Sequence, residues 1–110
     1  MKSTITPSEH FTFRDTATGA LVHQLTDEPC INHATYFLQS SLTPDGRTLI
    51  FISYRSGTAQ LYSIDGFPNG PIRQWIDGAP LHAFSPAIHP NGGIVFFVRG
   101  GAIWSIRRDT

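Results

Sequence analysis

The feature that most constrains the fold is a segment that occurs twice, 46 residues apart from Pro44 to Pro90. In the first copy, the turn Pro44-Asp45-Gly46 precedes the apolar run 48–52; in the second, Pro90-Asn91-Gly92 precedes the run 94–98. Proline pre-sets the backbone of such turns and glycine accepts positive φ, while β-branched and aromatic runs indicate buried strands. A repeat of about 40–50 residues is typical of propeller blades.

The flanking segments extend the repeat. Residues 60–64 align with 102–106, and residues 22–27 align with 72–77. One unit then holds four predicted strands, A (36–42), B (48–53), C (60–64) and D (72–76). Four antiparallel strands form a propeller blade, as in WD40-like repeats. We therefore predict an all-β partial β-propeller. Its parts are two outer strands of one blade (11–27), a complete blade (36–77) and an incomplete blade (84–107).

The length sets a further expectation. Closed propellers have about 4–8 blades, whereas these 110 residues supply about two to three. The missing blades are therefore expected partners, supplied by a longer protein. No window has a helical period with capping residues, so no substantial helix is predicted. The polar segment 1–9 is expected to be mobile or only loosely docked.

Charge and composition exclude several function classes. Eight Lys and Arg balance eight Asp and Glu, so nothing favours nucleic acid or an anionic membrane as a partner. The single cysteine, Cys30, has no internal disulfide partner, which fits a reducing compartment. The sequence contains no apolar run of about 18 residues and no secretory leader pattern. A cytoplasmic location is the resulting expectation.

Loop placement selects the candidate binding residues. In an up-and-down blade, the A–B and C–D turns share one end of the sheet, and the B–C and D–A connections share the other. Binding groups concentrate in loops on a rigid scaffold. The second end is predicted to carry the candidate substrate-binding residues His33, Tyr54, Arg55, His82 and Arg99. Alternatively, the histidines bond to nearby backbone, and the arginines are solvated or pair with a carboxylate of a neighbouring blade.

Familiar catalytic signatures are missing from the sequence. It has no Cys/His set at zinc spacing, no H-E-x-x-H, no phosphate-cradling glycine loop and no G-x-S-x-G. Nothing in these residues alone indicates catalysis. The turn aspartates are interpreted as structural, bonding to local backbone: Asp15, Asp45, Asp65 and Asp77.

The segments LVHQLTD, INHATYFLQSSLTPDGRTLIFISYRSGTAQLY and FFVRGGAIWSI resemble the N-terminal part of the oligogalacturonide lyases, polysaccharide lyase family 22. The most telling element is H-x-x-Y-F, formed by His33, Tyr36 and Phe37. The resemblance covers roughly residues 11–107. The T-P-D-G and L-Y-x-x-D pieces are shared more widely with TolB-like propellers.

This resemblance implies a seven-bladed propeller that cleaves short oligogalacturonides, such as unsaturated digalacturonate, by β-elimination in cytoplasmic pectin degradation. It also implies manganese or another divalent cation, which with arginine neutralises the uronate carboxylate and stabilises the intermediate. The family's metal-binding histidines and glutamine, and its catalytic histidine, lie in later blades. The isolated chain is therefore expected to be inactive, and only His33 is carried over as part of a family motif. The alternative is a non-catalytic TolB-like segment that binds a protein or a sugar.

Overall fold

The computed structural model of the protein describes residues 4–36 and 38–108. These residues form β-strands, turns and loops, with no helix among them, as the sequence predicted. The strands, in chain order, are β1 (Thr4–Thr6), β2 (Phe11–Arg14), β3 (Leu21–Gln24), β4 (Asn32–His33), β5 (Thr48–Ser53), β6 (Gln60–Asp65), β7 (Ile72–Gln74), β8 (Ala87–Ile88), β9 (Ile94–Arg99) and β10 (Ala102–Arg107). No helix capable of crossing a bilayer occurs in this described part.

The strands form three antiparallel sheets. The first sheet pairs β2 with β3, the middle sheet has the order β1-β7-β6-β5-β4, and the third sheet has the order β10-β9-β8. Consecutive strands are neighbours within each sheet, apart from β1. Strands β5, β6 and β7 lie where the repeat predicted strands B, C and D.

The core lies on both faces of the middle sheet, as the apolar run of β5 requires. Ile50 and Ile52 belong to a cluster that includes Val95 and Phe97 of the third sheet. Phe51 belongs to a second cluster on the other face, against which Leu25 packs after the first sheet. Alternate residues of a strand point to opposite faces, so one continuous apolar run serves both interfaces. Each fully buried large aliphatic side chain contributes roughly 1.5–3 kcal/mol.

The innermost strand differs from the prediction, which placed it at 36–42. Instead, Asn32 and His33 pair with Ser53 and Ile52, and the chain returns to β5 only at the Leu42–Leu49 bridge. The described residues between them, 34–36 and 38–41, form a loop, which Thr35 closes. The buried Thr35 receives no strand partner; its hydroxyl bonds to Gln39 O (3.2 Å) and Ser41 Oγ (2.9 Å). These hydroxyl contacts favour a local turn over a continuous strand.

The N-terminal segment also differs from the expectation of loose docking. Residues Thr4–Thr6 pair with Gln74, Arg73 and Ile72 and add a fifth strand, β1, to the outer edge of the middle sheet. Backbone pairing with an open edge needs no apolar side chain, which is why a polar segment can dock there. The expectation for residues 1–3 lies outside the described residues.

The turns at Asp45 and Asp15 are built as predicted, whereas the Asp65 carboxylate accepts the Ser63 hydroxyl at 2.8 Å and pairs with Arg73 at 3.0 Å instead of bonding to local backbone. Asp45 accepts hydrogen bonds from the Thr43 hydroxyl (2.6 Å) and the Arg47 amide (3.0 Å), and Gly46 has a φ of 73°. These bonds stabilise the carboxylate and hold the pKa of Asp45 below its usual range, with Thr43 the largest cause. Asp15 is held in the same way, chiefly by the hydroxyl and amide of Thr18, and its pKa is also lowered.

Candidate functional site

The candidate site lies at the end of β5 opposite the Pro44-Asp45-Gly46 turn. His33 pairs with Ile52, near the end of β5, and Tyr54 donates its amide to Ile31 O at 2.9 Å just beyond it. The turn meets the beginning of the same strand, where Thr43 donates its amide to Thr48 O at 2.9 Å. The D–A connector and the B–C loop therefore share one end of the sheet, as strand direction predicted.

His33 in β4 and His82 in the connector before β8 occupy equivalent positions beside neighbouring strands of the repeat. His33 lies opposite Ile52, and His82 donates its amide to Val98 O at 2.8 Å. Val98 follows Ile52 by the repeat length of 46 residues, so the two histidines sit one blade apart on one rim. The spacing of the histidines is 49 because the loop after His33 is longer by three residues than the connection after His82.

A phenylalanine links the two histidines. The Phe84 ring centroid lies 5.3 Å from that of His33 and 6.5 Å from that of His82. Tyr36 meets the same ring edge-on at 5.9 Å, and Tyr54 lies 6.5 Å from His33. We call these five side chains the rim cluster. Phe84 is 56% exposed and Tyr36 39% exposed, so the cluster presents aromatic surface to solvent instead of forming a closed core.

Local hydrogen bonds set the ring orientations of both histidines. His33 Nδ1 lies 2.7 Å from Ala34 O; since a carbonyl only accepts, Nδ1 carries the proton and Nε2 is the nitrogen left for a ligand. His82 Nδ1 accepts the Phe84 amide at 3.3 Å, so neutral His82 carries its proton on Nε2. The pair can therefore offer one acceptor and one donor nitrogen at the rim.

Arg55 lies at the same end of the sheet but is engaged within the protein. Its guanidinium bonds to both oxygens of Glu9 (2.9 and 3.2 Å), to Asn32 Oδ1 (3.0 Å) and to Ser53 Oγ (2.9 Å). It also lies over the rings of Phe51 and Tyr62. Four of its five N–H groups are thus used. The partner carboxylate is a glutamate from the N-terminal segment, not the aspartate of a neighbouring blade that the sequence suggested.

Glu9 connects the Arg55 site to the preceding connector. One of its oxygens accepts the amides of Asp27 (2.9 Å) and Glu28 (3.3 Å) in addition to its bond with Arg55. Burial alone would raise the pKa of Glu9, but the Asp27 amide, Arg55 and the Glu28 amide together outweigh it and lower the pKa. Glu9 is therefore a charged, anchored carboxylate near neutral pH.

Arg99 lies at the end of β9, at the position equivalent to Ser53. It donates to Asp77 O at 3.2 Å, and its guanidinium carbon lies 5.7 Å from the ring centroid of Phe97 and 5.8 Å from that of Trp104. None of these three partners belongs to the rim cluster. Of the five predicted site residues, the structure thus gathers His33, Tyr54 and His82, and places Arg55 and Arg99 in separate contacts.

A shallow groove adjoins His33 on the side of the first sheet. It has a volume of about 210 Å³ and is lined mainly by apolar atoms of Leu25, Thr26, Asn32, His33, Ala34, Leu49 and Phe51. A larger groove of about 260 Å³ lies by the opposite turns, beside Asn91 and Arg108. It contains none of the predicted site residues, and Arg108 is paired with Asp45 at 3.5 Å. The groove beside His33 is therefore the one relevant to the site.

The described residues do not fit a divalent metal. Residues 4–36 and 38–108 contain no group of three or more His, Cys, Asp or Glu close enough to hold an ion. His10 Nε2 and His23 Nδ1 lie 2.9 Å apart and are hydrogen-bonded to each other. Structural and catalytic metal sites need three or more protein donors in most cases, so no metal-dependent step is assigned to this chain.

Sequence reasoning missed two residues of this region. Phe84 follows His82 by two positions, in a connector whose sequence has no strand period. The aromatic residue so close to His82 was the one sequence feature that could have indicated its place in the rim cluster. Glu9 lies in a polar segment and pairs with Arg55 across 46 positions of sequence; no local pattern points to that contact. The third motif residue, Phe37, lies outside the described residues.

Solved structures similar to this chain include two oligogalacturonate lyases. An oligogalacturonate lyase in complex with manganese matches 96% of the chain with a TM-score of 0.88 and 27% sequence identity. An oligogalacturonate lyase from Vibrio parahaemolyticus matches 99% with a TM-score of 0.89 and 24% identity. The chain spans 28% and 29% of their respective lengths. No family model and no curated protein sequence matches the chain.

These comparisons confirm the resemblance that the sequence suggested. The chain has the fold of a partial oligogalacturonate lyase β-propeller. The match extends along nearly the whole chain.

Proposed function

We propose that this chain supplies N-terminal blades to an oligogalacturonate lyase-like enzyme, and that its rim cluster helps to bind the substrate. The structural likeness over 96% of the chain, with 27% identity to an oligogalacturonate lyase, carries this proposal. The whole protein would cleave short oligogalacturonides by β-elimination in cytoplasmic pectin degradation. In that reaction a base takes the proton α to the uronate carboxylate, the C4–O bond breaks and a C4–C5 double bond forms.

The chemistry of the rim cluster suits a uronate. His33 Nε2 can accept a hydrogen bond from a sugar hydroxyl, and His82 Nε2–H can donate to a hydroxyl or carboxylate oxygen. The exposed ring of Phe84 can pack against a pyranose face. Charge-assisted hydrogen bonds to a carboxylate are the strongest that such a site can form. Following the family resemblance, we assign the base and the divalent cation to the other blades of the whole protein.

A binding experiment tests the role of His33. Digalacturonate would be titrated into the protein and followed by NMR, with His33→Ala compared with His89→Ala. His89 is a matched control because it lies by the opposite turn, where its Nδ1 accepts the Asn91 amide at 3.1 Å. We expect His33→Ala to weaken binding about tenfold, equivalent to about 1.4 kcal/mol, and His89→Ala to leave it unchanged. Equal affinity of both variants would refute the assignment of His33.

An activity assay tests the division of labour. Incubation of this chain with digalacturonate and manganese should give no increase in absorbance from unsaturated product. Turnover by the chain alone would contradict the placement of base and metal elsewhere.

In the whole enzyme, His33→Ala should lower kcat/KM. The expected loss of transition-state stabilisation is roughly 1–3 kcal/mol, the scale of a charge-assisted hydrogen bond.

A non-catalytic sugar- or protein-binding module is the second candidate. It is favoured by the segment Thr43-Pro44-Asp45-Gly46, which TolB-like propellers share. Manganese-dependent product formation by the whole protein would exclude this candidate. Binding of digalacturonate without turnover, at any divalent cation concentration, would support it.

A further inference from the structure

The N-terminal segment meets the rim through one buried ion pair. Glu9 and Arg55 form a bidentate pair in which the side chains are only 14% and 9% exposed. The pair joins three stretches of chain: the segment after β1, the connector at Asp27 and Glu28, and the loop after β5. Segments distant in sequence are thereby fixed beside the short inner strand β4.

Arg55 extends this connection to the residue next to His33. While Glu9 holds the guanidinium in one orientation, Nη2 donates to Asn32 Oδ1 at 3.0 Å. The rings of Phe51 and Tyr62 lie under the guanidinium at 5.7 and 5.4 Å. The planar Arg55 guanidinium is bonded to the Glu9 carboxylate and packs on these two rings, so it has little freedom to rotate away from Asn32.

Strand β4 depends on these side-chain bonds more than a longer strand would. It has two residues, Asn32 and His33, paired with β5 only, and the chain leaves the sheet directly after it. The side-chain amide of Asn32 also donates from Nδ2 to Cys30 O at 3.2 Å. Both its oxygen and its nitrogen are therefore hydrogen-bonded. With so few ladder bonds, the position of His33 follows the position of Asn32.

We propose that Glu9 is a positioning residue for the rim: through Arg55 and Asn32 it holds β4, and so orients His33 toward an acidic sugar ligand. This inference rests on the proposed function for its ligand, but its structural part concerns only the protein. Glu9 itself does not touch the ligand in this account. It sets how often the His33 ring occupies the binding orientation.

The test uses Glu9→Gln, which preserves shape and removes the charge. Its matched control is Asp65→Asn, which removes the carboxylate of another ion pair of the middle sheet, Arg73–Asp65 at 3.0 Å. The imidazole signals of His33 would be followed by NMR, together with hydrogen exchange of the Tyr54 amide, which bonds to Ile31 O. We expect shifted or broadened His33 signals and about tenfold faster Tyr54 exchange in Glu9→Gln only.

A second variant keeps the inference testable should Glu9→Gln fold poorly. Arg55→Lys retains a positive charge but replaces the fork by a point charge, which cannot hold Glu9 and Asn32 in the same fixed geometry. It should move the His33 signals in the same way. Unchanged His33 signals in both variants, or an equal change in Asp65→Asn, would overturn the positioning role.

Ligand titration separates this inference from the proposed function. Glu9→Gln should weaken digalacturonate binding about fivefold, and the effect should vanish in the His33→Ala background because both act through one ring. If His33→Ala alone leaves the affinity unchanged, the proposed function fails, while the NMR arm still decides the positioning of His33. If the two losses add independently, Glu9 does not act through His33 and the inference is overturned.

Discussion

Strands β6 and β10 are copies of one repeat in two different environments. Leu61 of β6 is 0% exposed, whereas Ile103 at the equivalent position of β10 is 81% exposed; for Tyr62 and Trp104 the values are 3% and 47%. Both strands pair with the preceding strand over six residues. Strand β6 also pairs with β7 and has a packed sheet on each face, whereas β10 pairs only with β9 in the described chain.

This difference separates strand formation from core formation. The turn and the apolar alternation are enough to place both strands opposite their partners. Burial depends on what lies beyond the strand, and an apolar edge strand left open favours association with another chain. Side chains at one repeat position therefore act differently: in β6 they determine the stability of the middle sheet, and in β10 they determine the solubility of the chain.

The largest expected effect is in the buried copy. Leu61→Ala should lower the free energy of unfolding by about 3 kcal/mol, since a fully buried leucine leaves a cavity. Ile103→Ala, its equivalent in β10, should change it by less than about 0.5 kcal/mol. Urea denaturation measures both. Similar losses would mean that the third sheet is covered in solution.

The next largest difference is expected between the equivalent serines Ser63 of β6 and Ser105 of β10. Ser63 Oγ accepts the Trp75 Nε1–H at 2.7 Å, with both residues buried, so Ser63→Ala leaves a buried donor without its partner. We expect a loss of about 2 kcal/mol. Ser105 is the exposed equivalent in β10, and Ser105→Ala should be nearly neutral. Thermal denaturation with tryptophan fluorescence would report both, and a neutral Ser63→Ala would contradict the importance of this bond.

The link between the first and middle sheets should respond to pH. The pKa of Glu9 is lowered in the folded state, so its stabilising contribution is present above the unfolded pKa, about 4.3, and is lost as pH falls through the folded value. Glu9→Gln should cost about 1.5 kcal/mol at pH 7. Its difference from the unsubstituted protein should shrink on acidification. A difference that stays constant from pH 7 to pH 3 would show that Glu9 charge is not the cause.

The smallest effect on stability is expected where association should change most. Ile103→Lys places a charge on the open edge of β10 and should alter the free energy of unfolding by less than about 0.5 kcal/mol, while reducing self-association. Light scattering across a concentration series measures this. By contrast, we expect Leu61→Lys, at the equivalent buried position of β6, to unfold the protein. Association that persists in Ile103→Lys would direct attention to Phe11 and Phe13 of the first sheet, which are also exposed.

The sequence by itself determined the strands and turns whose causes are local. Pro44-Asp45-Gly46 makes its turn with bonds between residues two to five positions apart, and the runs of β5 and β9 alternate between two faces. The same logic placed His33, Tyr54 and His82 at one end, because strand direction follows from the number of turns. Their proposed part in binding stays a prediction.

Only the tertiary structure decided the inner strand, the partner of Arg55 and the burial of each repeat. Asn32 and His33 displace 36–42 because Thr35 closes a loop that no strand pattern reveals. Arg55 meets Glu9 because β1 docks beside β7 and carries the following residues across the sheet. Leu61 and Ile103 share a repeat position but differ in exposure. In each case the cause is a contact between segments distant in sequence, and such contacts leave no periodic trace in the residues that make them.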